Sequence, residues 1–151
     1  MSKLQGSAQP KVITSLEQFD ELDPLVFAGL GQHLLVDLYG CANIPSTAQS
    51  LELLMLETAK VIEATVVTSS FHEFSPQGLS GVVVISESHI AAHTWPEHGV
   101  VCVDIFTCSQ TMNSIAGLKQ LFESLAAESL TVSNVCRGKR MGIEQRRESN
   151  E

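Results

Sequence analysis

Four strand-like segments follow one another between residues 65 and 107 with no helical segment between them, and this run constrains the fold most. Their approximate bounds are 65–74, 81–85, 88–94 and 100–107. They are rich in β-branched and aromatic residues, which favour strands, and the last alternates Val101, Val103 and Ile105 with Cys102, Asp104 and Phe106. Further strands are predicted at 32–39 and 130–136. The element order β-α-β-β-β-β-α-β predicts an α+β fold: a two-layer sandwich of a mainly antiparallel sheet with helices on one face.

The two helices of this order are predicted from apolar stripes at helical spacing. The first begins near Ser46, taken as the N-cap because Gln49 follows three residues later. Its stripe runs from Leu51 to Ile62, and a second stripe covers 115–126. A shorter helix is predicted around Phe19, where apolar residues recur every three positions.

Length and charge limit the class of protein. The chain has 151 residues with 44% hydrophobic content, enough for one folded domain. A formal net charge of −8 argues against binding to nucleic acid, and no apolar run is long enough to cross a membrane. The sequence also has no signal peptide pattern, and its four scattered cysteines predict free thiols. We therefore expect a protein of the reducing cytoplasm.

The strand at 81–85 ends in an unusual concentration of polar groups. The apolar run Val82–Ile85 is followed at once by Ser86, Glu87, Ser88 and His89, and His93 lies four residues further on. Burying unpaired polar groups costs free energy, so a strand that serves only the core is not expected to end this way. The pattern indicates a functional site at the end of this strand.

Three kinds of chemistry use residues of these types. A serine hydrolase is disfavoured because Ser88 is not in a GxSxG turn and no acid is placed by sequence to orient His93. The histidines and cysteines could bind a metal, but no pair has a standard zinc spacing, and no metal is expected. The third possibility is attack of the Ser88 hydroxyl on the Glu87 carbonyl, followed by elimination that cuts the chain and leaves a pyruvoyl group. That reaction needs an oxyanion donor and a base. Candidates for these two roles are Ser80, Ser86, His89 and His93.

A long contiguous motif supports the third possibility. Residues 78–97 read GLSGVVVISESHIAAHTWPE, and residues 104–108 read DIFTC. This motif resembles the prokaryotic S-adenosylmethionine decarboxylase proenzyme, a pyruvoyl-dependent, self-processing enzyme. The resemblance extends upstream through 68–77 and 30–41 and covers residues 29–137. It leaves an N-terminal extension of residues 1–28 and a charged tail of residues 138–151 outside the family-like domain.

The resemblance implies how the chain is processed. Cleavage is expected between Glu87 and Ser88, giving a β chain of residues 1–87 and an α chain of residues 88–151. Ser88 becomes the pyruvoyl group, which holds the substrate as a Schiff base. His93 is implied as the processing base that removes the Cα proton of Ser88, and Ser80 as a residue that assists processing.

It also implies how the substrate is held. Cys108 is implied as the proton donor in decarboxylation, Phe74 as a stacking partner for adenine, and Glu97 as a ligand of the ribose hydroxyls. Ser109 departs from the family pattern, which usually has glycine directly after the donor cysteine. No metal and no externally supplied cofactor are expected.

Family members are dimers of αβ units with the active sites at the interface, and their product, S-adenosylmethioninamine (decarboxylated S-adenosylmethionine), is used in spermidine biosynthesis. A homodimer with S-adenosylmethionine as substrate and CO2 as the second product is therefore the leading interpretation. Two alternatives stay open at the level of sequence. One is a pyruvoyl decarboxylase of the same fold that acts on ornithine or arginine. The other is an uncleaved, non-catalytic regulatory relative.

Overall fold

The computed structural model describes residues 9–22 and 29–138. Most of the predicted charged tail, and residues 1–8 and 23–28 of the predicted N-terminal extension, lie outside the described residues. The strands are β1 (Lys11–Ile13), β2 (Gly31–Tyr39), β3 (Val66–Glu73), β4 (Leu79–Ile85), β5 (Ser88–Trp95), β6 (Val100–Thr107) and β7 (Ser129–Arg137). The helices are α1 (Glu17–Asp20), α2 (Ala48–Val61) and α3 (Ser114–Ser124), with a 3-10 turn at Pro96–His98.

The strands form one sheet in the order β1-β7-β2-β6-β5-β4-β3, and each neighbouring pair is antiparallel. This confirms the predicted α+β architecture and its element order from β2 to β7. Strand β1 was not predicted. It has only three residues, two of them exposed, and it exists by pairing with the edge of β7, which a local sequence pattern cannot reveal.

Strict alternation along the strands gives the sheet two different faces. The alternation predicted for β6 is confirmed, and its Val101, Val103 and Ile105 side chains are the buried set. They belong to a core built with α2 and α3, whose innermost members include Leu51 and Leu118. The intervening residues of each strand point to the opposite side, which no element of the described chain covers. We call this side the open face.

The start of α2 differs from the prediction by one residue. Thr47, not Ser46, is the N-cap: its hydroxyl accepts a hydrogen bond from the Ser50 N–H at 3.1 Å. The Ser50 hydroxyl in turn accepts from the Thr47 N–H at 3.1 Å, so the two residues form a capping box. The prediction of Ser46 was wrong because it looked for a Glu or Gln three residues after the N-cap and found Gln49. In the structure a serine, Ser50, closes the capping box with Thr47 instead.

The short helix around Phe19 is confirmed as α1, where the Phe19 ring packs edge-on against Phe122 at 5.5 Å between centroids. None of the helices in residues 9–22 and 29–138 is long and apolar enough to span a membrane.

Candidate active site

The turn between β4 and β5 is held from both sides. The Ser86 N–H donates to the Thr65 carbonyl at 2.8 Å, and the Thr65 N–H donates to the Glu87 carboxylate at 3.2 Å. On the other side the Cys108 N–H donates to the Glu87 carbonyl oxygen at 2.9 Å. The carbonyl of the Glu87–Ser88 peptide bond is therefore fixed and polarised by a backbone amide.

Ser88 has a backbone conformation that L-residues rarely adopt. Its φ is 150°, one of few positive values at a non-glycine residue in the described chain. Such conformations cost about 1–3 kcal/mol and persist only where surrounding contacts impose them. Here the contacts are the pairings of Ser88 with Ile85 on β4 and Thr107 on β6. The strain lies at the bond that the sequence marks for cleavage.

Cys108 lies beside this turn, directly after β6, and its side chain is exposed. Beyond it, the Ser109 N–H donates to the Thr107 hydroxyl at 2.9 Å, and the Ser109 hydroxyl lies 3.2 Å from that of Thr111. Serine at position 109 thus takes part in ordering the segment that carries the thiol. We call Glu87, Ser88 and Cys108 the turn cluster.

The remaining predicted site residues gather elsewhere. Ser80 Oγ lies 2.8 Å from His93 Nδ1, and the Gln77 amide donates to the Glu97 carboxylate at 3.2 Å. A groove of about 310 Å³ is lined by Phe74, Gln77, Gly78, Leu79, Ser80, His93, Thr94, Trp95 and Glu97. We call Ser80, His93, Phe74 and Glu97 the groove cluster. The groove has the size and the aromatic lining of a small-molecule site.

The two clusters lie towards opposite ends of β5. Ser88 is the first residue of this strand, and His93 lies five residues further along. At about 3.3 Å per residue the two backbones are roughly 16 Å apart. Within one copy of the chain, His93 therefore does not reach Ser88. The sequence analysis named these residues for one site and did not anticipate that they lie in two separate clusters of the folded chain.

A third group lies on the open face; the sequence analysis named one member, His89, as a candidate but did not anticipate His33 and Asp104 beside it. His33 Nε2 and His89 Nε2 lie 3.0 and 3.1 Å from the same oxygen of Asp104, and His89 Nδ1 lies 3.5 Å from Ser88 Oγ. The three donor atoms are within 4.8 Å of one another, close enough for a metal ion. Direct hydrogen bonds satisfy the cluster without an ion, and the absence of a metal stays a prediction. The available signal was a histidine directly after Ser88.

Cys41 and Cys102 are thiols that are unsuited to act as proton donors or nucleophiles at neutral pH. Burial, followed by the hydrogen bond and charge of Asp37, raises the pKa of Cys102 to about 12. Burial also raises the pKa of Cys41. Both side chains are therefore protonated at neutral pH and act as packing residues, which leaves Cys108 as the accessible thiol at the turn.

Comparison with known proteins gives consistent matches. The family model described as S-adenosylmethionine decarboxylase matches residues 32–138. The chain is 43% identical over 118 residues to an S-adenosylmethionine decarboxylase proenzyme of Pseudomonas paraeruginosa, covering 78% of this chain and 72% of that protein. It is 47% identical over 110 residues to a protein of the same name from Acetivibrio thermocellus, covering 72% and 89%.

A solved structure agrees with these matches. The crystal structure of the adenosylmethionine decarboxylase from Aquifex aeolicus aligns with a TM-score of 0.66 and 32% identity, covering 76% of this chain and 95% of that one. These similarities favour an S-adenosylmethionine decarboxylase over the ornithine, arginine and non-catalytic alternatives.

The strain at Ser88 can be measured directly. Glycine tolerates positive φ, so Ser88→Gly should be more stable than Ser88→Ala by about 1 kcal/mol, although glycine in a strand normally costs about 0.5–1 kcal/mol. Urea unfolding of both variants gives the comparison. At Ser86, which has no positive φ, the order should be reversed, with Ser86→Ala the more stable. A Ser88→Gly protein less stable than Ser88→Ala would contradict the interpretation of strain.

Proposed function

The chain belongs to the S-adenosylmethionine decarboxylase family, and we propose that it cuts itself at Glu87–Ser88 and then decarboxylates S-adenosylmethionine. The products are CO2 and S-adenosylmethioninamine, which serves spermidine biosynthesis. The four scattered cysteines, predicted as thiols that form no disulfide, support a reducing compartment such as the cytoplasm.

The observation that carries this proposal is the geometry of the Glu87–Ser88 peptide bond. Its carbonyl oxygen accepts the Cys108 N–H at 2.9 Å, and Ser88 is held at a φ of 150°. When Ser88 Oγ attacks the carbonyl carbon, negative charge develops on the oxygen that the amide already contacts, which is how an oxyanion site lowers a barrier. Transfer of the chain from nitrogen to oxygen also releases the backbone constraint on Ser88.

Completion of cleavage needs a base for the Ser88 Cα proton, and His93 is the proposed base. Its contact with Ser80 Oγ at 2.8 Å fixes the ring, since a hydrogen bond at one ring nitrogen selects the tautomer and orientation. Loss of the Cα proton and breakage of the bond from Ser88 Cβ to the ester oxygen separate residues 1–87, which end in a free Glu87 carboxylate, from residues 88–151, which begin with dehydroalanine. This enamine tautomerises to an imine, and water hydrolyses the imine to the pyruvoyl end with release of ammonia. Ser80 thus assists by holding His93.

The residues around the turn fit a pyruvoyl group formed at position 88. Such a group supplies an electron sink for the electron pair that remains when CO2 leaves. Cys108 is placed beside position 88 by its backbone contact with Glu87, and its exposed thiol is the proposed donor of the proton that replaces CO2. This contact explains why a cysteine directly after β6 suits the role.

Substrate binding is assigned to the groove cluster. Phe74 is 51% exposed, and its ring borders the groove, where it can stack on a flat base such as adenine. Glu97 also borders the groove, and its carboxylate can accept hydrogen bonds from ribose hydroxyls. The nearby Trp95 offers an aromatic face to the sulfonium, an attraction worth about 0.5–2 kcal/mol.

We propose that two copies of the chain complete each active site. The roughly 16 Å between Ser88 and His93 along β5 prevents one copy from using both residues on the same bond. A two-fold dimer brings the turn cluster of one copy to the groove cluster of the other, and symmetry then creates two equivalent sites. The assembly is a homodimer of αβ units.

The open face offers the contact surface for this dimer. It carries apolar side chains that are 36–46% exposed in the single chain: Leu35, Tyr39, Val84, Trp95 and Val135. Exposed apolar side chains on a sheet face that no described element covers are typical of an interaction surface. Both clusters lie at the ends of strands whose side chains form this face. Stacking two open faces would therefore bury these apolar side chains and also bring the turn cluster of one copy to the groove cluster of the other.

Self-cleavage is the first test. Purified wild-type protein should give fragments of residues 1–87 and 88–151 in intact mass spectra without added protease, and Ser88→Ala should remain full length. His93→Ala should stop at the ester, so that hydroxylamine cuts it at residue 88. A Ser88→Ala protein cut at the same bond would refute the mechanism, and pyruvoyl formation by His93→Ala at the wild-type rate would make His93 structural.

A mixture of two inactive variants tests the shared site. Coexpressed Ser88→Ala and His93→Ala chains with different tags form mixed dimers in which an intact Ser88 faces an intact His93. The His93→Ala chain should then yield a pyruvoyl fragment that it does not yield alone. In the matched control, the His93→Ala chain is coexpressed with a doubly substituted Ser88→Ala/His93→Ala chain, which supplies no His93. Unchanged processing in the mixture would show that each chain uses its own histidine.

Cys108 should matter for turnover but not for cleavage. Cys108→Ala retains the backbone N–H that contacts Glu87, so it should process itself, while release of CO2 from S-adenosylmethionine falls roughly 10²–10⁴-fold, as for a lost general acid. Cys136→Ala serves as the control. If Cys108→Ala released CO2 at the wild-type rate, Cys108 would not be the proton donor. If processed wild type decarboxylates only ornithine or arginine, the substrate assignment fails while self-processing stands.

A further inference from the structure

His33 on β2, His89 on β5 and Asp104 on β6 converge on the open face next to Ser88. Both imidazole Nε2 atoms lie within hydrogen-bond distance of one Asp104 oxygen, at 3.0 and 3.1 Å. The His33 and His89 rings also pack against Phe106, with centroids 5.2 and 5.7 Å apart. The three side chains are only partly exposed, at 18%, 34% and 26%. The cluster is ordered by contacts from three neighbouring strands.

The hydrogen bonds fix where the protons lie. A carboxylate only accepts, so each Nε2 that contacts Asp104 carries the hydrogen and donates it. The other ring nitrogen of a neutral His89, Nδ1, then has a free lone pair. This atom lies 3.5 Å from Ser88 Oγ, a separation common for catalytic pairs before the reacting groups close up. Ser88, His89 and Asp104 thus have the nucleophile–base–carboxylate arrangement that activates a hydroxyl.

We infer that His89 is the base that activates Ser88 for self-cleavage and that Asp104 positions it, an inference that rests on the proposed function. The Ser88 hydroxyl proton passes to His89 Nδ1 as the bond from Oγ to the Glu87 carbonyl carbon forms. The bond from that carbon to the Ser88 nitrogen then breaks, and the nitrogen takes the proton from His89. The peptide becomes an ester and an amine, with no net proton gained or lost and no co-reactant.

This assignment gives the two proton transfers of self-cleavage to different histidines. His89 is adjacent to Ser88 in the same chain and handles the hydroxyl proton in the first step. The Cα proton of the second step goes to the His93 of the second copy in the proposed dimer, because the His93 of the same chain lies five residues along β5 and out of reach. Asp104 holds the His89 tautomer and stabilises the imidazolium, while the second contact from His33 holds the Asp104 carboxylate in place.

Blocking the second step isolates the first. In a His93→Ala background the ester accumulates, so hydroxylamine-cleavable protein reports the rate of the acyl shift alone. His89→Gln keeps an N–H that can donate to Asp104 but cannot accept a proton. The doubly substituted His89→Gln/His93→Ala protein should remain an intact amide, insensitive to hydroxylamine, with ester formation slowed roughly 10²–10⁴-fold. His98→Ala/His93→Ala, which removes an exposed histidine of the 3-10 turn, is the control and should form ester at the parent rate.

A second set of variants separates chemistry from folding. In the same background, His89→Ala should regain ester formation when imidazole is added, because a free base can occupy the vacated space. Asp104→Asn presents an amide that favours the wrong His89 tautomer, so it should slow the same step at least about tenfold. Asp104→Glu, which keeps the carboxylate, should recover part of that loss. Thermal unfolding midpoints close to that of the control confirm that the fold is retained.

Two results distinguish failure of this inference from failure of the proposed function. If His89→Gln/His93→Ala forms ester as fast as His93→Ala, His89 is not the base, and self-cleavage stands. If the wild-type chain forms neither ester nor fragments, the proposed function itself fails and this inference fails with it.

Discussion

The hydrogen bond from the Cys108 amide to the Glu87 carbonyl is the contact on which the candidate active site depends. It joins the end of β6 to the turn between β4 and β5, so it can form only when these strands are paired in register. The same contact holds Ser88 at the start of β5 and sets the Cys108 thiol beside it. One backbone contact therefore connects the pairing of the central strands to the geometry of a single peptide bond, the one at which cleavage is proposed.

The two faces of the sheet carry different kinds of side chain. Alternate residues of each strand face α2 and α3 and supply the core, while the residues between them form the open face. In β5 this puts Ile90 and Ala92 into the core and His89 and His93 on the open face. Stability and chemistry can thus be carried by the same strand, because neighbouring side chains point into different surroundings.

The sequence was sufficient for the parts of this structure that local periodicity encodes. Strand β6 was predicted with its observed bounds, because its alternation is regular over eight residues. Strand β1 was missed because its pairing partner, β7, lies more than a hundred residues away in the chain. The roles proposed for individual residues come from the resemblance of a long motif, but their division into two clusters follows from the length of β5. The sequence named His89 only as one of several candidates for the oxyanion donor or the base, because Asp104, which contacts it, becomes its neighbour only when β5 and β6 pair.

The strand order has a consequence for the protein after cleavage. A cut at Glu87–Ser88 assigns β1 to β4 to one fragment and β5 to β7 to the other, yet in the sheet these strands interleave as β1-β7-β2-β6-β5-β4-β3. The fragments cannot separate without breaking β7 away from both β1 and β2, β6 from β2, and β5 from β4. Once separated, they would have to find each other by diffusion and thread together strands that originally folded as one chain. If the chain is cut as proposed, the processed protein would persist because it unfolds slowly, since the cut would remove the connection between β4 and β5 that guides folding of the intact chain.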